Sequence, residues 1–352
     1  MNIKHLLSIS VIIFGVSCKG PEVTETLRIT PNAVFMTVGD FQQLQLSTGN
    51  AKWSSSDESI AIVAGGLVEA IKEGHAVITA QSGNAIGKAD IYVTQIGGTY
   101  LGEYELVWQD DFDGDALDTV NNWTIETGGG GWGNQELQYY TKRPKNIRVK
   151  DGCLEIEARK ETYNNREFTS ARIKSENKRE FTYGRMEARI KLPAGRGTWP
   201  AFWMKGKGSW PKKGEIDIME HIGSQPTMIS HAVHTTNKNG SRGNNWSARY
   251  YADKPVENEW HVFAIEWEQL YTYDRDAIKF FVDGKQTGVV IADKAEQDID
   301  SWPFYDPEFF IINLAIGGTM GGSVNEDIFN DPVNTPVIMY VDWVRVYQKF
   351  MR

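Results

Sequence analysis

The stretch Gly214-Glu215-Ile216-Asp217-Ile218-Met219-Glu220-His221-Ile222 sets three carboxylates inside an apolar run. Glu215 and Asp217 alternate with Ile216 and Ile218, the period-two pattern of a half-buried strand with one acidic and one apolar face. Glu220 lies five positions after Glu215, and in a regular strand an odd separation sends two side chains to opposite faces. One extra residue at Met219, forming a β-bulge, would return Glu220 to the face of the other two. The spacing therefore predicts a bulge near Met219 and three carboxylates in a row.

Carboxylates so close cannot all ionise cheaply, so their proton affinities should split and one should stay protonated near neutral pH. Glycoside hydrolysis needs such an acid beside a base. One carboxylate attacks the anomeric carbon while a protonated carboxyl donates to the leaving oxygen, and in the retaining variant the two lie roughly 5 Å apart. A solvated strand face or a calcium site would present similar spacing, so the surrounding residues must discriminate.

Outward from this strand the chain stays β-rich. From about residue 100 to residue 350, alternating segments at Leu154–Arg159, Ser170–Lys174, Tyr183–Leu192, Val262–Trp267, Ile278–Val282 and Val341–Tyr347 predict an antiparallel two-sheet sandwich with a groove on a curved inner sheet. Upstream, residues 24–96 hold short segments at Leu44–Leu46, Ile60–Val63, Ala76–Thr79 and Ala89–Val93 between Gly, Asn and Ser turns, the pattern of a small separate β-sandwich. Ile96-Gly97-Gly98-Thr99 reads as the linker. The fold class is all-β in two domains, as 352 residues allow.

The net charge of −9, from 37 Lys and Arg against 46 Asp and Glu, comes without a long basic run, so nucleic acid and polyanionic substrates have no electrostatic footprint. A neutral ligand fits better, and 12 Trp offer flat faces for sugar rings or for a core. The N-terminus has Lys4 and His5 before an apolar run from Leu6 to Phe14, too short to span a bilayer and typical of a secretory signal over residues 1–18. Gly15-Val16-Ser17-Cys18 resembles a bacterial lipobox, which makes Cys18 a lipidation site; ordinary signal cleavage with Cys18 incidental is the alternative. With Cys18 lipidated, Cys153 is the one remaining thiol and reads as a structural residue in a strand.

Trp199 and Trp203, four apart in Thr198-Trp199-Pro200-Ala201-Phe202-Trp203-Met204, share a face if extended. With Trp210 they form candidate stacking platforms, core packing being the alternative. The Gly-rich run Gly128 to Gly133, followed by Asn134-Gln135-Glu136, lacks a Gly-Lys-Ser/Thr continuation and so is no phosphate loop. It is expected to frame one end of the groove, with Asn134 available to hydroxyl groups. His231 and His234 would face opposite sides of a strand, and no His-Glu-x-x-His helix exists, so catalytic zinc is not expected.

Taken together, Gly131-Trp132-Gly133-Asn134-Gln135-Glu136-Leu137-Gln138-Tyr139-Tyr140, Ser170-Ala171-Arg172-Ile173-Lys174-Ser175, Tyr183-Gly184-Arg185-Met186-Glu187-Ala188-Arg189, the Trp199 segment and the Glu215 segment resemble glycoside hydrolase family 16, in its laminarinase-like branch. Residues 24–96 resemble a group 2 bacterial immunoglobulin-like domain through Trp53-Ser54-Ser55-Ser56-Asp57-Glu58-Ser59-Ile60-Ala61-Ile62-Val63, Gly66-Leu67-Val68-Glu69-Ala70 and Gly74-His75-Ala76-Val77-Ile78-Thr79-Ala80. Trp53 there is a core residue or a sugar platform, and the domain's simplest role is a spacer.

The family-16 resemblance implies a concanavalin-like β-jelly-roll over residues 100–350, a retaining mechanism and no catalytic cofactor. It implies Glu215 as nucleophile, Glu220 as acid/base, and Asp217 between them, hydrogen-bonded to the nucleophile. It carries Asn134, Arg172, Trp199, Trp203 and His234 over as residues facing the sugar; for Arg172 a strand-surface salt bridge is the alternative. A structural calcium on Asp342 and the Gly152 carbonyl is a further implication. Gly317-Gly318-Thr319-Met320-Gly321-Gly322 departs from the branch, which often has an aromatic residue after the paired glycines.

The expected activity is retaining endo-hydrolysis of a neutral polysaccharide, β-1,3-glucan (laminarin) or mixed-linkage β-1,3/1,4-glucan, by a monomeric lipoprotein at the cell surface or on the periplasmic face of the outer membrane. An endo-β-galactosidase acting on galactose-containing or mucin O-glycans is the competing enzyme. A non-catalytic glycan-binding lipoprotein is the competing class, though that predicts loss of Glu215 or Glu220.

Overall fold

The computed structural model describes residues 27, 29–30, 33–47, 49–94, 104–241, 243–270, 275–292, 298–330 and 336–349. The signal segment with Cys18 and the whole Ile96–Thr99 linker, within residues 95–103, lie outside the described residues.

Two large sheets make up the C-terminal region. The smaller runs Thr124–Glu126, Arg172–Lys174, Glu308–Ile316, Thr198–Gly206, Glu215–His221, Met228–His234 and Trp246–Tyr251 in spatial order, with Glu180–Phe181 added beside Glu308–Ile316. The larger runs Gln138–Tyr140, Arg166–Ser170, Cys153–Tyr163, Val337–Lys349, Gly184–Lys191, Trp260–Leu270, Arg275–Val282 and Lys285–Ile291. Its long strand Val337–Lys349 also pairs with Tyr104–Asp110, so the closing segment at Val341–Tyr347 is central.

Period-two alternation places the core between the sheets. Phe202, Met204, Ile216, Ile218, Met219, Phe310, Ile312 and Leu314 from the smaller sheet meet Met186, Ala188, Ile190, Phe263, Ile265, Phe280, Val341 and Val344 from the larger in one buried cluster. Each fully buried side chain of this size stabilises by about 1.5–3 kcal/mol relative to exposure, so the register that buries this face is strongly specified.

One segment differs from its sequence-based expectation. Ser170–Lys174 is not a single strand: Ser170 closes Arg166–Ser170 in the larger sheet, and after Ala171 the chain enters the smaller sheet as Arg172–Lys174. Period-two patterning continues through such a corner, because both strands bury alternate residues toward the same core.

The N-terminal region has its own core of Leu27, Ile29, Val34, Met36, Leu44, Ala61, Val68, Ala70, Ala76, Ile78, Ala80, Ala89, Ile91 and Val93, with Trp53 packed partly against it. Strands Ala33–Thr37, Ala85–Thr94, Gly74–Ser82 and Lys52–Ser55 form one sheet and Phe41–Gln43, Leu67–Ala70 and Ala61–Ala64 another.

Candidate active site

The three carboxylates lie on the face of the smaller sheet turned away from the core. On the Thr198–Gly206 side, Lys205 pairs with Glu215, Trp203 with Asp217 and Ala201 with Glu220, and the register shifts between Phe202 and Trp203. On the Met228–His234 side, His234 pairs with Glu215, Ala232 with Asp217 and Ser230 with Glu220. Ile218 and Met219 therefore stand together opposite His231, and both enter the core. This is the bulge that the parity of Glu215 and Glu220 requires. Asp217, Glu220 and Trp199 are buried although they lie outside the core, which makes this face the floor of a cleft.

His234 organises the charges. Its Nε2 lies 3.2 Å from Asp217 Oδ2 and 3.8 Å from Glu215 Oε1, and its Nδ1 lies 3.1 Å from the Asn239 carbonyl. Both partners of the ring nitrogens are acceptors, so both nitrogens donate and the ring is an imidazolium. Burial opposes that charge, but the hydrogen bond to Asp217 and the fields of Asp217 and Glu215 outweigh it and hold the ring up to about 10. Asp217, expected to bond the nucleophile directly, instead meets it through His234. Residues two apart on a strand are separated by about 6.6 Å of rise, and a ring from the neighbouring strand reaches both.

Burial, then the negative charge of Asp217, push Glu215 up to about 8, with His234 and Arg172 opposing. Burial and Asp217 also push Glu220 up to about 8, while the Trp199 indole, donating from Nε1 to Glu220 Oε1 at 3.0 Å, opposes them. The charge of Glu220 also raises Glu215, so the two carboxyls do not ionise independently. The imidazolium stands against Glu215, so the proton the pair retains belongs on Glu220.

Arg172 lies in the same cross-strand row as Glu220, through Asn313 and Ala201. Its Nε donates to Glu126 Oε2 at 2.6 Å, and its guanidinium stands 4.7 Å from the Trp132 ring and 4.9 Å from the Trp203 ring. The salt-bridge and groove-facing readings of Arg172 thus coexist. Trp203 is fixed by a buried relay: Trp203 Nε1 donates to Asn313 Oδ1 at 2.8 Å, Asn313 Nδ2 to the Tyr140 hydroxyl at 3.2 Å, and that hydroxyl to Glu136 Oε2 at 2.9 Å.

Asn134 is exposed, and its amide hydrogen-bonds Glu136 at the end of this relay. Its carbonyl accepts from Thr319 N at 2.8 Å. Thr319 lies in the short helix Gly318–Gly321 of the departing glycine loop. At Gly318 a Cβ would meet the Asn134 carbonyl at 2.8 Å, so the paired glycines allow the two loops to touch. Trp210 is 49% exposed, with its ring 6.1 Å from that of His234.

Several groups were not singled out by the sequence: Glu136 and Tyr140, which stand in the motif at residues 131–140 without an assigned role, and Glu126, Asn239, Asn313 and Glu308, which carry no local signal. Glu308 is 1% exposed, and neither carboxyl oxygen has a hydrogen-bond partner among the described residues. Burial, then the charges of Glu215, Asp217 and Asp306, keep its proton on.

His231 and His234 take opposite faces, His231 toward the core and His234 toward the cleft, so they make no metal pair. Ligand atoms of Glu215, Asp217 and His234 lie within 4.8 Å of one another, but the nitrogen facing the carboxylates is a donor in this arrangement. At the expected calcium position, Asp342 is electrostatically coupled to Cys153, beside Gly152, and its Oδ2 is 2.5 Å from Arg189 Nη1.

The profile of Glycosyl hydrolases family 16 matches residues 134–345, more than half of the chain. The chain belongs to family 16. A beta-glucanase of Rhodothermus marinus is 42% identical over 255 residues, covering 70% of this chain and 85% of that protein. A glucan endo-1,3-beta-glucosidase A1 of Niallia circulans is 36% identical over 270 residues, covering 69% of this chain and 38% of that longer protein. Among solved structures, the laminarinase from Rhodothermus marinus superposes with a TM-score of 0.63 at 42% identity, covering 71% of this chain and all of the other. The two-sheet architecture is the family-16 jelly-roll, and the protein is a glycoside hydrolase.

Proposed function

We propose that this family-16 enzyme is a retaining endo-β-glucanase cleaving internal bonds of β-1,3-glucan or mixed-linkage β-1,3/1,4-glucan. The observation that carries the mechanism is the bulge at Ile218 and Met219, which brings Glu220 to the face of Glu215 while His234 stands nearer to Glu215 and Asp217, with only a weaker effect on Glu220. The glucan preference rests on the similarity to the beta-glucanase and laminarinase of Rhodothermus marinus.

In the first step Glu215 attacks the anomeric carbon as Glu220 gives its proton to the glycosidic oxygen. The C–O bond breaks, one glucan chain leaves with a new hydroxyl, and the other is held as an ester of Glu215. Glu220, now ionised, takes a proton from water as that water attacks the anomeric carbon, releasing Glu215. His234, kept protonated by Asp217, and Arg172 favour the charged form of Glu215; Trp199 fixes Glu220 Oε1, leaving Oε2 to carry the proton. Trp203, Trp210 and Arg172 supply flat and polar surfaces for sugar rings, and Asn134 steadies the loop at the cleft end.

The test is product analysis on laminarin, barley β-glucan, agarose and mucin O-glycans. Short β-glucan oligosaccharides from the first two, with the β-anomer formed first, are expected. Release from the galactose-containing glycans alone contradicts the glucan assignment, and α-anomer formed first contradicts retention.

Residues 24–96 are an immunoglobulin-like spacer, and Cys18 is the lipidated residue that anchors a monomeric, exported enzyme to a bacterial membrane surface. Metabolic labelling with a palmitate analogue should mark the wild type and not Cys18→Ala; equal labelling contradicts the anchor. The Asp342 carboxylate and the Gly152 carbonyl would hold calcium as hard oxygen donors once Arg189 turns away. Calcium should then raise Tm in the wild type and not in Asp342→Asn, and no rise in the wild type rejects the site.

A further inference from the structure

His231 is a fully buried histidine that the reaction as derived leaves unused. It stands opposite the Ile218–Met219 bulge, where the ladder between Glu215–His221 and Met228–His234 is interrupted. A bulge leaves backbone groups without ladder partners, and a buried carbonyl needs a donor. His231 Nδ1 lies 2.7 Å from the Ile218 carbonyl, and Nε2 lies 2.8 Å from the Thr287 hydroxyl. Thr287 belongs to Lys285–Ile291 in the larger sheet, so the ring spans the core from one sheet to the bulge in the other. The His231 ring also packs against Phe280 at 4.9 Å.

We propose that His231 is a positioning residue for the acid/base: its Nδ1–H caps the Ile218 carbonyl, and Thr287 braces the ring from the far sheet, so that the bulge holds Glu220 toward the cleft. This rests on Glu220 being the acid/base. The Ile218 carbonyl only accepts, so Nδ1 carries the proton, and the Thr287 hydroxyl gives its one proton to Nε2 at 2.8 Å in preference to the Phe280 carbonyl at 3.3 Å. Burial pushes the ring down to about 4, so it stays neutral through the working range and keeps this tautomer. Two residues separate His231 from His234, yet one holds backbone geometry and the other holds charge.

The experiment compares His231→Asn, whose amide N–H can replace Nδ1–H, with His231→Gln, whose longer amide reaches toward the Nε2 position. Laminarin kinetics and the pH profile of kcat/KM are the readouts, with Glu220→Gln as control. Misplacing a reacting group by about 1 Å can cost about 100-fold in rate, so His231→Gln is expected to lose about 10- to 100-fold in kcat at unchanged KM. Its alkaline limb should also move, while His231→Asn, which keeps the cap and loses only the brace, should lose no more than the several-fold expected of Thr287→Val. Equal kinetics for wild type and a folded His231→Gln, or equal losses for the Asn and Gln variants, overturn the proposal. Where His231→Gln does not fold, Thr287→Val decides, because it removes only the brace: a several-fold drop in kcat supports the proposal and an unchanged profile overturns it. Full activity in Glu220→Gln instead overturns the acid/base assignment on which it rests.

Discussion

The proton on Glu220 and the charge on Glu215 are divided between two similar carboxyls by a third residue, His234. Because burial and Asp217 raise both carboxyls to about 8, kcat/KM should fall on the alkaline side near that pH as Glu220 loses its proton. Asp217→Asn removes the negative charge that ranks next to burial in raising Glu220, so the limb should move to lower pH. His234 loses its main partner in that variant, and its weaker opposing effect on Glu220 only partly offsets the shift. A limb that stays in place or moves upward contradicts the assigned electrostatics. Among these residues the carboxylates were visible from sequence because their spacing is local. The relay from Trp203 to Glu136 was not, since Tyr140 and Asn313 lie 173 positions apart and meet only when two strands assemble.

The bulge is the element on which the site depends, and the same alternation that hid one feature revealed another. Parity between Glu215 and Glu220 predicted it, because an acidic side chain sent into the core would have no partner. Parity could not reveal the corner at Ala171, where alternation continues across two sheets. Nor could it flag Glu308, which immediately precedes the apolar run Phe309 to Ile312 at a strand start and faces Gly214, where a Cβ would come within 2.9 Å of its Oε1. The Glu308 affinity for its proton is raised in the folded state, so its contribution to stability is fully present below the unfolded value near 4.5 and is lost as pH rises toward the folded one. Glu308→Gln lacks this dependence. Its Tm relative to wild type should therefore climb as pH rises above about 4.5. A difference in Tm that is flat with pH would mean the carboxyl is not held neutral.

Across the whole molecule, two separate hydrophobic clusters divide the chain into units with their own cores. Their all-β character was readable from alternation, and the two-layer packing follows because each sheet has one apolar face to cover. Which strands neighbour which was not readable, since the order in each sheet depends on contacts distant in sequence. Residues 100–352 alone are expected to hydrolyse soluble laminarin with the kcat/KM of the full chain; a large loss on removing the N-terminal unit would give that unit a part in catalysis. The central claim is that Glu215 and Glu220 form one hydrolytic pair on a shared face. Its most direct test measures reducing ends released from laminarin by the wild type and by Glu215→Ser of matched Tm. Steady release by the wild type and none from the variant is predicted, and equal release by both would contradict it.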